Sequence, residues 1–330
     1  MLSLVVPVYN RPQEVDELLV SLLQQKDGVD YEVILVEDGS TETCKKQYDH
    51  YKLLLPVQYF FKPNSGPGLS RNFGAEKAKG QYIIFLDSDV ILPEGYLSAV
   101  ARFLKNNPDV DAFGGPDRAH KSFTTIQKAI NYSMTSFFTT GGIRGGKKRI
   151  GAFHPRSFNM GISQKVFQVT KGFSEMRFGE DIDMTLRILE AGFKTALIED
   201  AYVYHKRRST FKQFFKQIFN SGIARINLSL RHPGTLKLVH TLPVVFTLGC
   251  FGLILLTPFF VWAILPLILY ALLIFVHASL SESSLKVGLK AIPASFMQLI
   301  SYGLGFIIAF WRRIVLKRPE FAAYTRNFYK

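Results

Sequence analysis

Cysteine is scarce. Cys44 and Cys250 are the only two, they lie far apart in unlike surroundings, and they support neither a disulfide scaffold nor a cysteine-ligated zinc site. A reducing compartment fits such a chain. No Gly-x-Gly-x-x-Gly follows the first apolar run and no Gly-Lys-Ser/Thr loop occurs, so the dinucleotide and P-loop signatures are both missing. Residues 238–281 contain no lysine, arginine, aspartate or glutamate, which removes the charged groups a transport pathway would need there. Internal repeats and low-complexity tracts are absent as well.

Acids are outnumbered, 26 against 40 lysines and arginines, and the net charge of +14 attracts polyanions: nucleic acid, anionic headgroups or phosphorylated small molecules. With 48% hydrophobic and 20% charged residues, the chain is neither disordered nor collagen-like and is too apolar to be wholly soluble. Its 330 residues suit one domain with an appendage. Met1 to Pro7 is too short an apolar run for a signal peptide and has no basic leader, so the expectation is a first strand and an N-terminus that is not exported.

Up to about Arg231 the chain alternates apolar β-branched runs with longer amphipathic stretches. Strands are expected at Leu2 to Val8, Glu32 to Val36, Val57 to Phe61 and Tyr82 to Leu86. Helices are expected at Pro12 to Gln25, Gly68 to Lys79 and Pro93 to Asn106, the first and third opening on proline at a permitted first-turn position. The pattern predicts an α/β sheet flanked by helices. Gly141 to Lys148, glycine-rich and basic, reads as a mobile loop.

The apolar run that starts at Leu238 is long enough for two crossings of roughly 20 residues each. It predicts a hairpin over about 239–280, turning near Thr257 and Pro258; one long helix kinked by the proline is the other reading. A third run, Ala291 to Trp311, is bounded by Lys290 and Arg312. Three crossings would put Arg312, Arg313, Lys317 and Arg318 opposite the N-terminal α/β region, against the positive-inside tendency, unless the third run is re-entrant or interfacial. Thr210 to Arg231 reads as a basic, phenylalanine-rich amphipathic helix, suited to an anionic membrane surface or to packing on its own protein. The expected organisation is an α/β domain over 1–208, an interfacial region over 209–237 and a membrane domain with a basic tail over 238–330.

In an open α/β sheet, ligands bind beyond the carboxyl edge, so the strand ends carry the chemistry. The first expected strand ends in Pro7-Val8-Tyr9-Asn10-Arg11, the second in Glu37-Asp38-Gly39-Ser40, and the last in Asp87-Ser88-Asp89. Paired carboxylates suit Mg²⁺ or Mn²⁺, which completes its shell with water and substrate phosphates, although an Asp-x-Asp alone is also an ordinary solvated turn. Asp-Gly-Ser is likewise ordinary turn chemistry. Glu180-Asp181 follow Gly179 and open an amphipathic helix, where acids also complement the helix dipole.

Taken in order, Val-Pro-Val-Tyr-Asn, Glu-Asp-Gly-Ser, Arg71-Asn72 with Gly74, Asp-Ser-Asp and Gly-Glu-Asp resemble the motifs of the inverting family 2 glycosyltransferases over roughly Leu2 to Arg225. The resemblance implies a GT-A-type, Rossmann-like mixed sheet, here followed by transmembrane helices. It implies that Pro7, Tyr9 and Asp38 border the nucleobase, with Asp38 accepting the uracil imide hydrogen where the donor is a UDP-sugar; Glu37 stands where the family often has aspartate. It places Arg71 near the nucleotide or its diphosphate, Asp87 near the ribose or metal-bound water, Asp89 on the metal and His205 completing the metal shell. Asp181 matches the catalytic base, and Arg156 to Ile162 match the stretch lining donor sugar and acceptor.

A phosphate acceptor is already ionised, whereas a sugar hydroxyl must lose a proton as it attacks, so the Glu180-Asp181 pair favours a hydroxyl. The predicted activity is inverting transfer from a nucleotide-sugar to a lipid-linked saccharide or glycolipid, at the cell membrane, with the catalytic domain cytoplasmic and Mn²⁺ or Mg²⁺ as cofactor. Transfer to a polyprenyl phosphate is the competing reading. Gln217 to Arg225 lacks the tryptophan of the processive Gln-x-x-Arg-Trp motif, which predicts one sugar per encounter. No nucleic-acid partner is expected; a basic membrane-associated nucleic-acid or lipid-binding protein would explain the charge but not five strand-end motifs.

Overall fold

The computed structural model describes residues 1–25, 28–120, 122–141 and 153–321. The glycine-rich segment expected to be a mobile loop lies, over 142–148, outside the described residues. Among the described residues two compact units form: 1–118 with 153–205 and Phe321, and 119–141 with 206–320. The stretch after Arg118 therefore groups with the later helices.

The first unit begins with β1 (Leu2–Val8), α1 (Pro12–Leu23), β2 (Tyr31–Asp38), α2 (Lys45–Tyr51), β3 (Val57–Lys62), α3 (Pro67–Lys77) and β4 (Tyr82–Leu86). It continues with β5 (Val90–Ile91), α4 (Tyr96–Asn106), β6 (Ala112–Gly114) and β7 (Asp117–Arg118). The chain then supplies α5 (Thr125–Thr135) and α6 (Phe137–Thr140) to the second unit. It returns to the first with β8 (Asn159–Ser163), α7 (Gln164–Thr170), α8 (Glu180–Glu190), β9 (Thr195–Leu197) and β10 (Val203–His205). The second unit ends with α9 (Phe211–Arg231), α10 (Leu242–Leu256), α11 (Leu265–Ser281) and α12 (Leu285–Phe310).

The main sheet runs β3-β2-β1-β4-β8-β6-β9. β3, β2, β1 and β4 are mutually parallel, and β8 is antiparallel to both of its neighbours, giving the mixed α/β sheet. Central parallel strands are buried on both faces and so read as continuous apolar runs; Leu4, Val5, Val6, Ile83, Ile84 and Phe85 are fully buried. Losing one such side chain to alanine costs about 2–5 kcal/mol. Pro7 is tolerated in a central strand because pairing with β4 stops at Val5↔Phe85, so no ladder donor is needed on that side. α1 opens on Pro12 as expected and buries Val15, Leu18, Leu19 and Leu22. The third expected helix differs: it starts at Tyr96 after Gly95 in the left-handed region (φ 77°), and Pro93 sits in the preceding turn, where its carbonyl accepts from Gln25 and Tyr96.

In the second unit, α10 and α11 are separated by a turn at Thr257 to Phe260, a helical hairpin rather than one kinked helix. Among the described residues, three helices are long and apolar enough to cross a membrane: Leu238–Leu256, Val261–Ser281 and Leu285–Val315. α9 begins at its Thr210 cap and buries Phe214, Ile218, Ile223 and Ile226, with Lys212 and Lys216 exposed. Gly222 lets it approach the backbone of α12 at Tyr302, and Gly305 of α12 meets the carbonyl of Phe219.

Candidate active site

β2, β1 and β4 are parallel neighbours, so their carboxyl ends share one edge and the loops leaving them gather there. The first two loops are stitched together by Asn10. Its backbone N–H donates to Ser40 Oγ (2.8 Å), and its side-chain oxygen accepts from the N–H groups of Thr41 (2.8 Å) and Glu42 (3.0 Å). Tyr9 lies within this loop and Pro7 just inside the strand.

Asp38 ends β2, buried. Its carboxylate accepts from Lys62 Nζ at 2.5 Å, Ser65 N–H at 2.9 Å and Gly66 N–H at 2.8 Å. Gly66 caps α3, so Asp38 fixes the start of the helix that carries Arg71. Glu37 has different partners. Fully buried, it accepts from Ser40 Oγ and from Cys44 N–H (2.7 Å) and closes the loop after β2.

Two strand positions away, about 10 Å at ordinary inter-strand spacing, β4 ends at Asp87-Ser88-Asp89. β10 pairs antiparallel with β5 in the register His205↔Val90, which sets the imidazole beside Asp89. Nε2 of His205 lies 3.2 Å from Asp89 Oδ1 and 3.8 Å from Asp87 Oδ2, and its ring stacks on Phe158 with centroids 5.0 Å apart. Asp87, Asp89 and His205 each offer a ligand atom within 4.8 Å of the others, a set of hard oxygens and one imidazole that fits Mn²⁺ or Mg²⁺. Two arginines neutralise the carboxylates: Arg11 reaches Asp89 at 2.5 Å and Arg71 reaches Asp87 at 2.6 Å.

Arg71 links this cluster to α8. Its other terminal nitrogen lies 3.3 Å from Glu180 Oε1, and although burial opposes its charge, Asp87 and Glu180 more than offset that. Gly179, in the left-handed region at φ 84°, turns the chain so that Glu180 and Asp181 open the helix. Their electrostatics diverge. Burial, reinforced by the neighbouring Asp181 charge, pushes Glu180 up to about 7. Burial also works to raise Asp181, but Arg156, whose Nε donates to Oδ2 at 2.6 Å, together with the Ile182 N–H at 2.8 Å and Arg71, holds it below the usual carboxylate range.

One connected set thus contains Asp87, Asp89, His205, Arg71, Glu180 and, adjoining it, Asp181, while Asp38, Tyr9 and Pro7 stand along the same sheet edge. Arg11, Lys62 and Phe158 escaped individual notice in the sequence. Only strand order could have found Arg11, since nothing in the pattern says that the first strand neighbours the fourth.

The description "Glycosyl transferase family 2" matches residues 3–168. An uncharacterized glycosyltransferase of Haemophilus influenzae is 29% identical over 220 residues, 64% of this chain and 70% of that protein. One from Rickettsia bellii is 38% identical over 105 residues, 32% of this chain; the matched region spans only 15% of that relative's length. Among solved structures, the mannosyltransferase PcManGT from Pyrobaculum calidifontis, in complex with GDP-Man and Mn²⁺, aligns with a TM-score of 0.65 at 14% identity over 94% of this chain and 87% of that one. Staphylococcus aureus TarS 1–349, in complex with UDP-GlcNAc, aligns at 0.50 and 18% identity over 91% and 90%. At these identities the structural likeness is one of fold.

Proposed function

The chain belongs to glycosyl transferase family 2, and from that premise we propose that it moves a sugar from a nucleotide-sugar, a UDP-sugar by this reading, to a hydroxyl of a lipid-linked saccharide or glycolipid, with inversion and one residue per encounter. The carrying observation is the contrast between the two acids that open α8: Asp181 is held ionised although buried, as a base must be before it can accept a proton. An acceptor that was already a phosphate anion would need no such group.

In the proposed reaction the acceptor oxygen forms a bond to C1 of the donor sugar. The C1–O bond to the diphosphate breaks on the opposite face, and the acceptor proton passes to Asp181. Asp87, Asp89 and His205 would hold Mn²⁺ or Mg²⁺, which when bound supplies positive charge to the diphosphate. Arg71, buried beside Asp87, adds a fixed positive charge to the cluster, a preorganised group aimed where negative charge grows. Asp38, Tyr9 and Pro7 would border the base, Asp38 by its carboxylate, whose remaining acceptor capacity suits an imide N–H. The two members of the α10–α11 hairpin would anchor the protein in the cell membrane, with the catalytic unit cytoplasmic.

Incubation of the purified protein with a panel of UDP- and GDP-sugars, Mn²⁺ and a lipid-linked saccharide tests this. The expected product carries one added sugar of inverted anomeric configuration at a hydroxyl. A sugar found only on a polyprenyl phosphate would replace the acceptor reading while keeping the donor one.

A further inference from the structure

We propose that the chain crosses the membrane twice, through α10 and α11 alone, and that α12 lies with α5 and α9 along the anionic headgroup surface, on the side where the chain before residue 238 remains. This builds on the reading of α10 and α11 as spans.

The three apolar helices have different surroundings. Only 11% and 17% of the apolar windows over Leu238–Leu256 and Val261–Ser281 are buried, against 44% for Leu285–Val315. Leu255, Phe259, Leu269, Leu272 and Val276 stand exposed on or between the first two, a surface that hydrocarbon covers and water does not. At 19 and 21 residues, these two are about 28 and 31 Å long, matching a hydrocarbon core of about 30 Å.

α12 instead has charged helices beside it. Along its first half, Val287, Ala291 and Ala294 pack both with Ile274 and Ala278 of α11 and with Ala129 and Tyr132 of α5, the helix that carries Lys128. Farther on, Met297 and Tyr302 pack with Phe214 and Ile218 of α9, Gly305 meets Phe219, and Asn227 donates to Oε1 of Glu320, in the segment that follows α12, at 2.6 Å. α9 therefore runs in the same direction as α12, and it carries Lys212, Lys216, Arg225 and Arg231. If α12 spanned the bilayer, α9 would be drawn into it, and Lys or Arg near the bilayer centre is strongly disfavoured. Laid along the surface, the exposed Lys212, Lys216 and Arg231 meet anionic headgroups favourably.

Small residues let one helix serve this purpose. Gly288, Gly303 and Gly305 of α12 each meet another helix too closely for a Cβ: at Ser279 of α11, at Thr247 of α10 and at Phe219 of α9. α12 is thus the seam that joins the inserted hairpin to the surface helices. The placement also returns Arg312, Arg313, Lys317 and Arg318 to the side of the remaining basic residues, as the positive-inside tendency requires.

Cysteine labelling with a membrane-impermeant maleimide in sealed vesicles of both orientations tests the proposal on the full chain. Leu53→Cys, Phe259→Cys and Lys317→Cys place thiols at exposed positions in the first unit, in the α10–α11 turn and after α12. The native thiols are buried, and burial beside Glu37 pushes Cys44 up, so background labelling is low. Lys317→Cys should label from the face that labels Leu53→Cys, and Phe259→Cys from the other. Lys317→Cys labelling with Phe259→Cys would establish a third crossing and overturn the proposal while leaving the two spans intact. All three labelling from one face would overturn the spans themselves. Protease access to a C-terminal epitope in the same vesicles gives the same discrimination without any substitution after α12.

Discussion

Arg156 Nε donates to Asp181 Oδ2 at 2.6 Å, so the acid proposed as the base is held by an arginine twenty-five positions earlier in the chain. The contact both aims the carboxylate and keeps it ionised, since burial alone would raise its pKa. Arg156→Ala should move the acid limb of the kcat/KM profile to higher pH, and Arg156→Lys should restore part of the shift. An unchanged profile would remove Arg156 from any role in tuning Asp181.

Asp181→Asn should lower kcat by about 10²–10⁴-fold, the usual contribution of a positioned proton acceptor. Nucleotide binding, measured by calorimetry, should survive, because Asp181 stands on α8 and not along the β2 edge where the base is proposed to sit. Full turnover in this variant would sink the assignment.

Asp89→Ala and His205→Ala each remove one group from the candidate metal trio. The thermal stabilisation by Mn²⁺ plus UDP-sugar should need at least about 10-fold more Mn²⁺ in either variant, taking the loss found for outer-shell partners as the lower bound. Wild-type dependence in both would move the metal elsewhere.

Glu180 gives a stability signature. Its folded value, about 7, lies above its ordinary 4.5, so the contribution from its neutral form is complete below pH 4.5 and is lost as pH rises through 7. Glu180→Gln should flatten the decline in Tm over that window. If the variant keeps the wild-type slope between pH 4.5 and 7, another group titrates there.

Gly222→Leu should lower the melting temperature in detergent. A Cβ at this position runs into the carbonyl oxygen of Tyr302, and overpacking of this kind costs about 1–3 kcal/mol. The same substitution at Gly252, whose Cβ would meet open space, should leave Tm nearly unchanged and serves as the control.

β1 and β4 could be read from the sequence to the residue because a strand buried on both faces must be apolar throughout, and turn residues mark its ends. The acids that begin α8 were legible too, since a glycine followed by carboxylates announces a helix start. The short strands β6, β7, β9 and β10 carry no period long enough to see; their pairings are imposed by neighbours, and with them comes the register that brings His205 to Asp89.

By itself the sequence determined the alternation of strand and helix, the residue types at the strand ends and the apolar lengths near the C-terminus, because each is written in local composition and period. The tertiary structure decided which ends are neighbours, and so that Arg11 meets Asp89 and Arg71 joins Asp87 to Glu180. It also decided that two adjacent acids differ in proton affinity and that α12 is far more buried than α10 and α11, packed on α5 and α9 as well as on the hairpin. These are properties of packing. Burial and charge separation depend on distances between residues far apart in the chain, and no window of sequence contains them.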